Sequence, residues 1–227
     1  MSSLLEGHIA RRFDGELNLI HLHALELGGL AHDQCRVALA AVKSNDREAA
    51  DHVLGREDEM DSLQMAAHTE IALLVGRRSP VARDLRAVLA MARAVTEFER
   101  IGNAAAHIAR FVLQVHEGKE RPIAPALGAY IERMGQTALA LLDDALAALD
   151  DLEAAAANRV LRQHGELGPA FSGAVRGITT HVMESPRLIT GAVNAVLLID
   201  VIEHVGDCAR RVALSIRRWL DVDGMVL

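Results

Sequence analysis

The chain has 227 residues, 51% of them hydrophobic but only 3% aromatic, with five prolines and a formal net charge of −7. A core of Ala, Leu, Val, Ile and Met favours helix, and strands would call for more aromatic and β-branched residues, so an all-β fold is excluded. Net negative charge excludes nucleic acid as the default partner, because phosphate contacts need a basic face.

Arginines pair at Arg77/Arg78, Arg210/Arg211 and Arg217/Arg218; they leave room for a local basic patch but read first as solvated helix ends. Two remote cysteines, Cys35 and Cys208, make no disulfide framework and point to a reduced, intracellular protein. Met1 to Phe13 carries charges and histidine without an apolar centre, unlike a signal peptide. The uncharged run Leu188 to Ile199 is too short to cross a bilayer. The expectation is a soluble cytoplasmic protein that reaches a membrane only through partners.

In chain order, six helices are predicted. The first spans 4–43, where Leu17, Ile20, His21, Ala24, Leu27 and Ala31 repeat at i, i+3, i+4 spacing. Ser44-Asn45-Asp46 supplies a turn and an N-cap for the second, 46–77. Ser79-Pro80, read as N-cap and first helical residue, opens the third, 80–117. Gly118 to Pro125 breaks the chain before the fourth, 123–149. Asp150-Asp151 starts the fifth, 151–184, and Ser185-Pro186 opens the sixth, 186–221.

These six fall into two sets of three. Ala41–Ala50 matches Ala148–Ala156, Ser79-Pro80 matches Ser185-Pro186, and Glu99-Arg100-Ile101-Gly102-Asn103 matches Glu203-His204-Val205-Gly206-Asp207. Three landmarks recurring in one order signal an internal repeat. The fold class is therefore all-α, two tandem antiparallel three-helix bundles related by duplication, spanning 1–118 and 119–227.

The recurring segment carries the candidate chemistry. Glu203 and Asp207, four apart, project from one helix face, and Gly102 and Gly206 clear space for a neighbouring helix. Glu57 and Asp61 repeat the spacing early in the second helix, which runs antiparallel to the third, so they are expected to face Glu99 and Asn103. Such an all-oxygen cluster suits hard or borderline cations. His107 and His204 lie within a turn of these motifs; His21, His23, His32, His52, His68 and His116 read as packing or exposed residues.

The sequence resembles the PhoU family of phosphate-transport accessory proteins. The matches are His8-Ile9-x-x-x-Phe13-x-x-Glu16-Leu17, Gly28-Gly29, Pro80-x-x-x-Asp84-Leu85-Arg86, Glu99-Arg100-Ile101-Gly102-Asn103, Met183-Glu184-x-x-Arg187 and Glu203-x-x-Gly206-Asp207. The resemblance implies a two-repeat, six-helix homodimer that negatively regulates the phosphate-starvation response with the phosphate ABC transporter ATPase and a sensor histidine kinase. Members carry an acidic motif of this kind in each repeat, and some hold iron or zinc on it; together with the oxygen-ligand reading this gives the expectation of a metal cation (Fe, Zn, Mn, Mg or Ca) on Glu57, Asp61, Glu99, Asn103, Glu203 and Asp207, with Arg86 and Arg100 balancing the acidic groups or meeting the partner. The chain departs from the family pattern at Asn103, where Asp is usual, and where His164 and Gly168 answer Glu57 and Asp61. Two equal metal clusters are therefore not expected.

No catalytic residues are assigned. A ferritin-like di-iron enzyme needs Glu-x-x-His on two helices, and no Glu here has a His three residues later. The competing readings are a metal-independent helical adaptor with acidic docking rows and, remotely, a carboxylate-site metalloenzyme.

Overall fold

Aliphatic residues at helical spacing, divided by turn residues, produce an all-α chain. The computed structural model describes residues 2–221, with side chains from Phe13 onward; the His8 and Ile9 side chains lie outside the described residues. The first repeat comprises α1 (Ser2–Ser44), α2 (Arg47–Leu54), α3 (Glu57–Arg78) and α4 (Ala82–His116). The second comprises α5 (Pro125–Asp151), α6 (Ala154–Gln163), α7 (Leu167–Glu184) and α8 (Ile189–Leu220).

Each repeat is a three-helix bundle whose middle helix is broken. The helix expected over 46–77 stops at Gly55, whose N–H bonds the Asp51 carbonyl (2.9 Å), and restarts at Glu57. Its counterpart over 151–184 passes through a 3₁₀ turn, His164–Glu166. Glycine weakens helix at both breaks, Gly55 and Gly165. Pro169 does not disturb α7, because it sits in the first turn, where its missing N–H has no intrahelical partner to lose.

The turn chemistry holds in part. Asp46 caps α2, accepting the Ala49 N–H at 3.0 Å. Ser79 does not cap the third helix. It closes α3 in the left-handed conformation (φ 47°), and α4 begins beyond Pro80 at Ala82. Pro80 disfavours right-handed helix at the residue before it, so α3 must end there. Asp150-Asp151 ends α5 instead of starting the next helix. Left-handed Leu152 (φ 52°) then turns the chain, as left-handed Asn45 (φ 52°) does in the first repeat. Pro186 leads a 3₁₀ turn into α8.

Within the repeats α1 packs on α4 and α5 on α8; the repeats join through α4 against α8 and α1 against α5. Phe98, Leu27, Ile101, Leu142 and Ile199 are buried in the shared core. A Cβ on Gly28 would stand 2.9 Å from the Phe98 ring and 2.5 Å from Leu146, so only glycine lets α1 pass so close to α4 and α5. The segment Pro186–Leu220 is long and apolar enough, by composition alone, to cross a membrane, beyond what the Leu188–Ile199 run suggested. Ala195, Ile199, Ile202, Cys208 and Ala209 are buried along one face of it, whereas Ile189, Val193 and Leu197 are exposed on another.

Candidate functional site at the seam between the repeats

The third helices of the two repeats cross in opposite directions. Residues 86–93 of α4 lie across from 211–218 of α8, and 100–107 from 200–207. The two recurring motifs therefore meet along one groove of about 550 Å³, lined by Asn103, Glu203 and Asp207 together with Arg100, His107 and His204. Spacing within one bundle could not show this, because the groove belongs to both.

Inside it, Asn103 Nδ2 donates to Glu99 Oε1 at 2.6 Å. Asp207 Oδ1 lies 2.7 Å from His164 Nε2, and its other oxygen 3.9 Å from Arg211. Burial first, and then the charges of Asp207 and Asp200, push the Glu203 carboxyl above its usual range, with His164 opposing.

Glu57 and Asp61 do not join this group. Early α3 does lie beside late α4, since a Cβ on Gly102 would strike the Met60 side chain (2.6 Å), as one on Gly206 would strike Leu167 (2.5 Å). But Met60 is the buried residue of its turn, so Asp61, one position on, points outward beside Asp58 and Ser62. Glu57 forms an ion pair with Arg110. The quartet Glu57, Asp61, Glu99 and Asn103 is thus dispersed rather than convergent.

Among the described residues, no three His, Cys, Asp or Glu side chains stand together as cation ligands would. The nearest donor set, His164, Asp207 and Glu203, is tied by the His–Asp hydrogen bond, and the Asn103 amide turns its N–H, not its oxygen, toward Glu99. As arranged, these residues do not fit a resident metal centre.

Sequence reasoning missed the most buried charge of the seam. Glu97 is fully buried; Arg93 Nε stands 2.8 Å from Oε1 and Arg100 3.6 Å, while Arg211 reaches from the other repeat to Oε2 at 2.8 Å. Arg93 and Arg100, at i−4 and i+3 from Glu97, were a readable signal; Arg211 was not. Arg211 also donates to Cys208 Sγ at 3.0 Å. Burial nonetheless pushes the Cys208 thiol up to about 12, and Cys35 likewise to about 12. The scattered histidines divide between local contacts and exposure: His21 bonds the Leu149 carbonyl (2.8 Å), His32 pairs with Asp143 (3.0 Å) and His23 with Glu70 (2.8 Å), while His52 and His68 are exposed.

The family model described as the PhoU domain matches this chain twice, over residues 24–112 and 131–216. The chain is similar to the phosphate-specific transport system accessory protein PhoU of Serratia marcescens, 30% identical over 203 residues that cover 89% of this chain and 82% of that protein. The protein of the same description from Escherichia coli (strain K12) is 28% identical over 208 residues, covering 91% and 85%. The crystal structure of PhoU from Pseudomonas aeruginosa superposes with a TM-score of 0.86 at 27% identity, covering 92% of this chain and 99% of that one. The phosphate transport system regulatory protein PhoU from Streptococcus pneumoniae shares the fold, with a TM-score of 0.81 at 24% identity and coverage of 95% and 100%.

Proposed function

The chain belongs to the PhoU family of phosphate-transport accessory proteins, and from that premise we propose that it is a cytoplasmic negative regulator of inorganic phosphate uptake and phosphate-starvation signalling. It acts by contact rather than catalysis, as a homodimer that meets a transporter ATPase and a sensor histidine kinase. One observation supports contact. Ile189, Val193 and Leu197 form a row on α8, spaced four apart, exposed by 59%, 54% and 57%. A helical row of large apolar side chains left in water is a surface that gains roughly 25 cal/mol per Å² when a partner covers it.

In this reading the row seats the transporter ATPase. A Val193→Asp/Leu197→Asp variant is expected to keep its thermal stability while phosphate uptake in the cell becomes deregulated. Normal repression of uptake by that variant would remove the row from the mechanism.

The metal-independent adaptor is the form of this reading that we adopt, supported by His164, Arg110 and Asn103 engaging Asp207, Glu57 and Glu99, three of the carboxylates that a cation would use. Protein purified without an affinity tag is expected to carry negligible metal, as is a Glu57→Ala/Glu99→Ala variant. Stoichiometric metal that the variant loses would restore the cation-tuned regulator.

A further inference from the structure

At the other end of the α4–α8 seam lies a second cleft, of about 510 Å³, into which four arginines face: Arg86 and Arg93 from α4, Arg211 and Arg218 from α8. Leu89 and Trp219 contribute an apolar wall. Isolated arginines at helix ends read as solvated charges, and three observations oppose that reading here.

Positive charge is concentrated in this cleft although the molecule is net negative. The carboxylates that oppose these arginines are Glu97, which engages Arg93 and Arg211, and Asp207, 3.9 Å from Arg211. Among the described residues Arg86 and Arg218 have no ion-pair partner. Next, the Arg86 Nε is buried and makes no hydrogen bond, a state that native proteins rarely leave uncompensated. Arg210 and Arg217 share that feature but do not line the cleft.

The duplication supplies the third observation. In the register that lays Gly102 over Gly206, Arg86 and Arg93 correspond to Thr190 and Leu197, and Arg211 and Arg218 to His107 and Gln114. None of the four positions keeps an arginine at the opposite end of the seam, so the cluster is no by-product of the repeat.

We propose that this cleft binds a phosphate ester: a phosphoryl oxyanion carried on an organic body. Guanidinium forks bind phosphate oxygens in pairs; buried Glu97 fixes Arg93 and Arg211 as part of the cleft wall, and leaves Arg86 and Arg218 with their donors uncommitted. The volume falls in the range of small-molecule pockets and exceeds what a bare phosphate fills. The unpaired Arg86 and Arg218 take the phosphoryl oxygens, while Leu89 and Trp219 take the organic part. The proposal stands on the arginines and does not depend on the regulatory reading.

Trp219 is the single tryptophan of the chain, which makes the cleft self-reporting. The full chain is titrated with ADP, inorganic phosphate and sulfate, followed by Trp219 fluorescence and calorimetry at two salt concentrations. ADP is expected to bind at least tenfold more tightly than inorganic phosphate or sulfate, and less tightly at high salt. Arg86→Gln and Arg218→Gln are each expected to weaken ADP at least tenfold. Arg110→Gln, at an arginine paired elsewhere with Glu57, is expected to leave it unchanged. Circular dichroism of each variant reports that it is folded. Absence of ADP binding, equal affinity in the Arg86→Gln and Arg218→Gln variants, or binding of inorganic phosphate as tight as ADP would each overturn the assignment.

Discussion

Burial changes the chemistry of Glu203 and of the two cysteines. Folding raises the Glu203 pKa above 4.5, through burial first and then Asp207 and Asp200, so the folded state holds that proton more tightly than the unfolded chain. Its contribution to stability is therefore full below the ordinary value and is lost as pH rises through the raised one. Glu203→Gln is expected to raise the melting temperature at pH 7 and leave it nearly unchanged at pH 4. The gain should stay under about 1 kcal/mol, since the group is partly exposed and water screens its neighbours. The thiols make a second case. Cys35 and Cys208 are buried, and burial pushes both up to about 12, so neither forms thiolate near neutrality. A thiol reagent at pH 8 is expected to count none in the native protein and both after unfolding; fast labelling of native Cys208 would show that the Arg211 contact outweighs burial.

At the scale of helices, the glycines discriminate between packing that can adjust and packing that cannot. A Cβ at Gly102 meets the flexible end of Met60 at 2.6 Å, whereas one at Gly28 meets the rigid Phe98 ring at 2.9 Å as well as Leu146. Both alanines gain up to about 1 kcal/mol of helix propensity. Gly28→Ala is expected to lose more than that to overpacking, about 1–3 kcal/mol, and Gly102→Ala much less; chemical denaturation of the two variants tests the order. The breaks in the middle helices show what was legible locally. Gly55 and Gly165 stand at the breaks, but a glycine inside a periodic apolar pattern is commonly tolerated, so the pattern reads as one helix through each; in the structure α2 and α6 pack on α4 and α8. Ser79-Pro80 misled for a related reason: the same dipeptide can end one helix or begin the next, and the left-handed Ser79 chose the former.

At the scale of the molecule, the seam where α4 crosses α8 joins two similar halves through one shared core. Melting followed by far-UV circular dichroism and by Trp219 fluorescence is expected to give coincident transitions; two separated steps would mean that the halves fold independently. The sequence by itself determined the helical class, the duplication, the family and the approach of early α3 to late α4, because each follows from periodicity, order or matched distances along the chain. Tertiary structure alone decided which carboxylates meet. A single residue step on α3 turns Asp61 to solvent beside buried Met60, and the antiparallel crossing brings Asn103 to Glu203 and Asp207, and Arg211 to Glu97. Contacts between residues about a hundred positions apart depend on helix rotation and crossing direction, which no local spacing encodes.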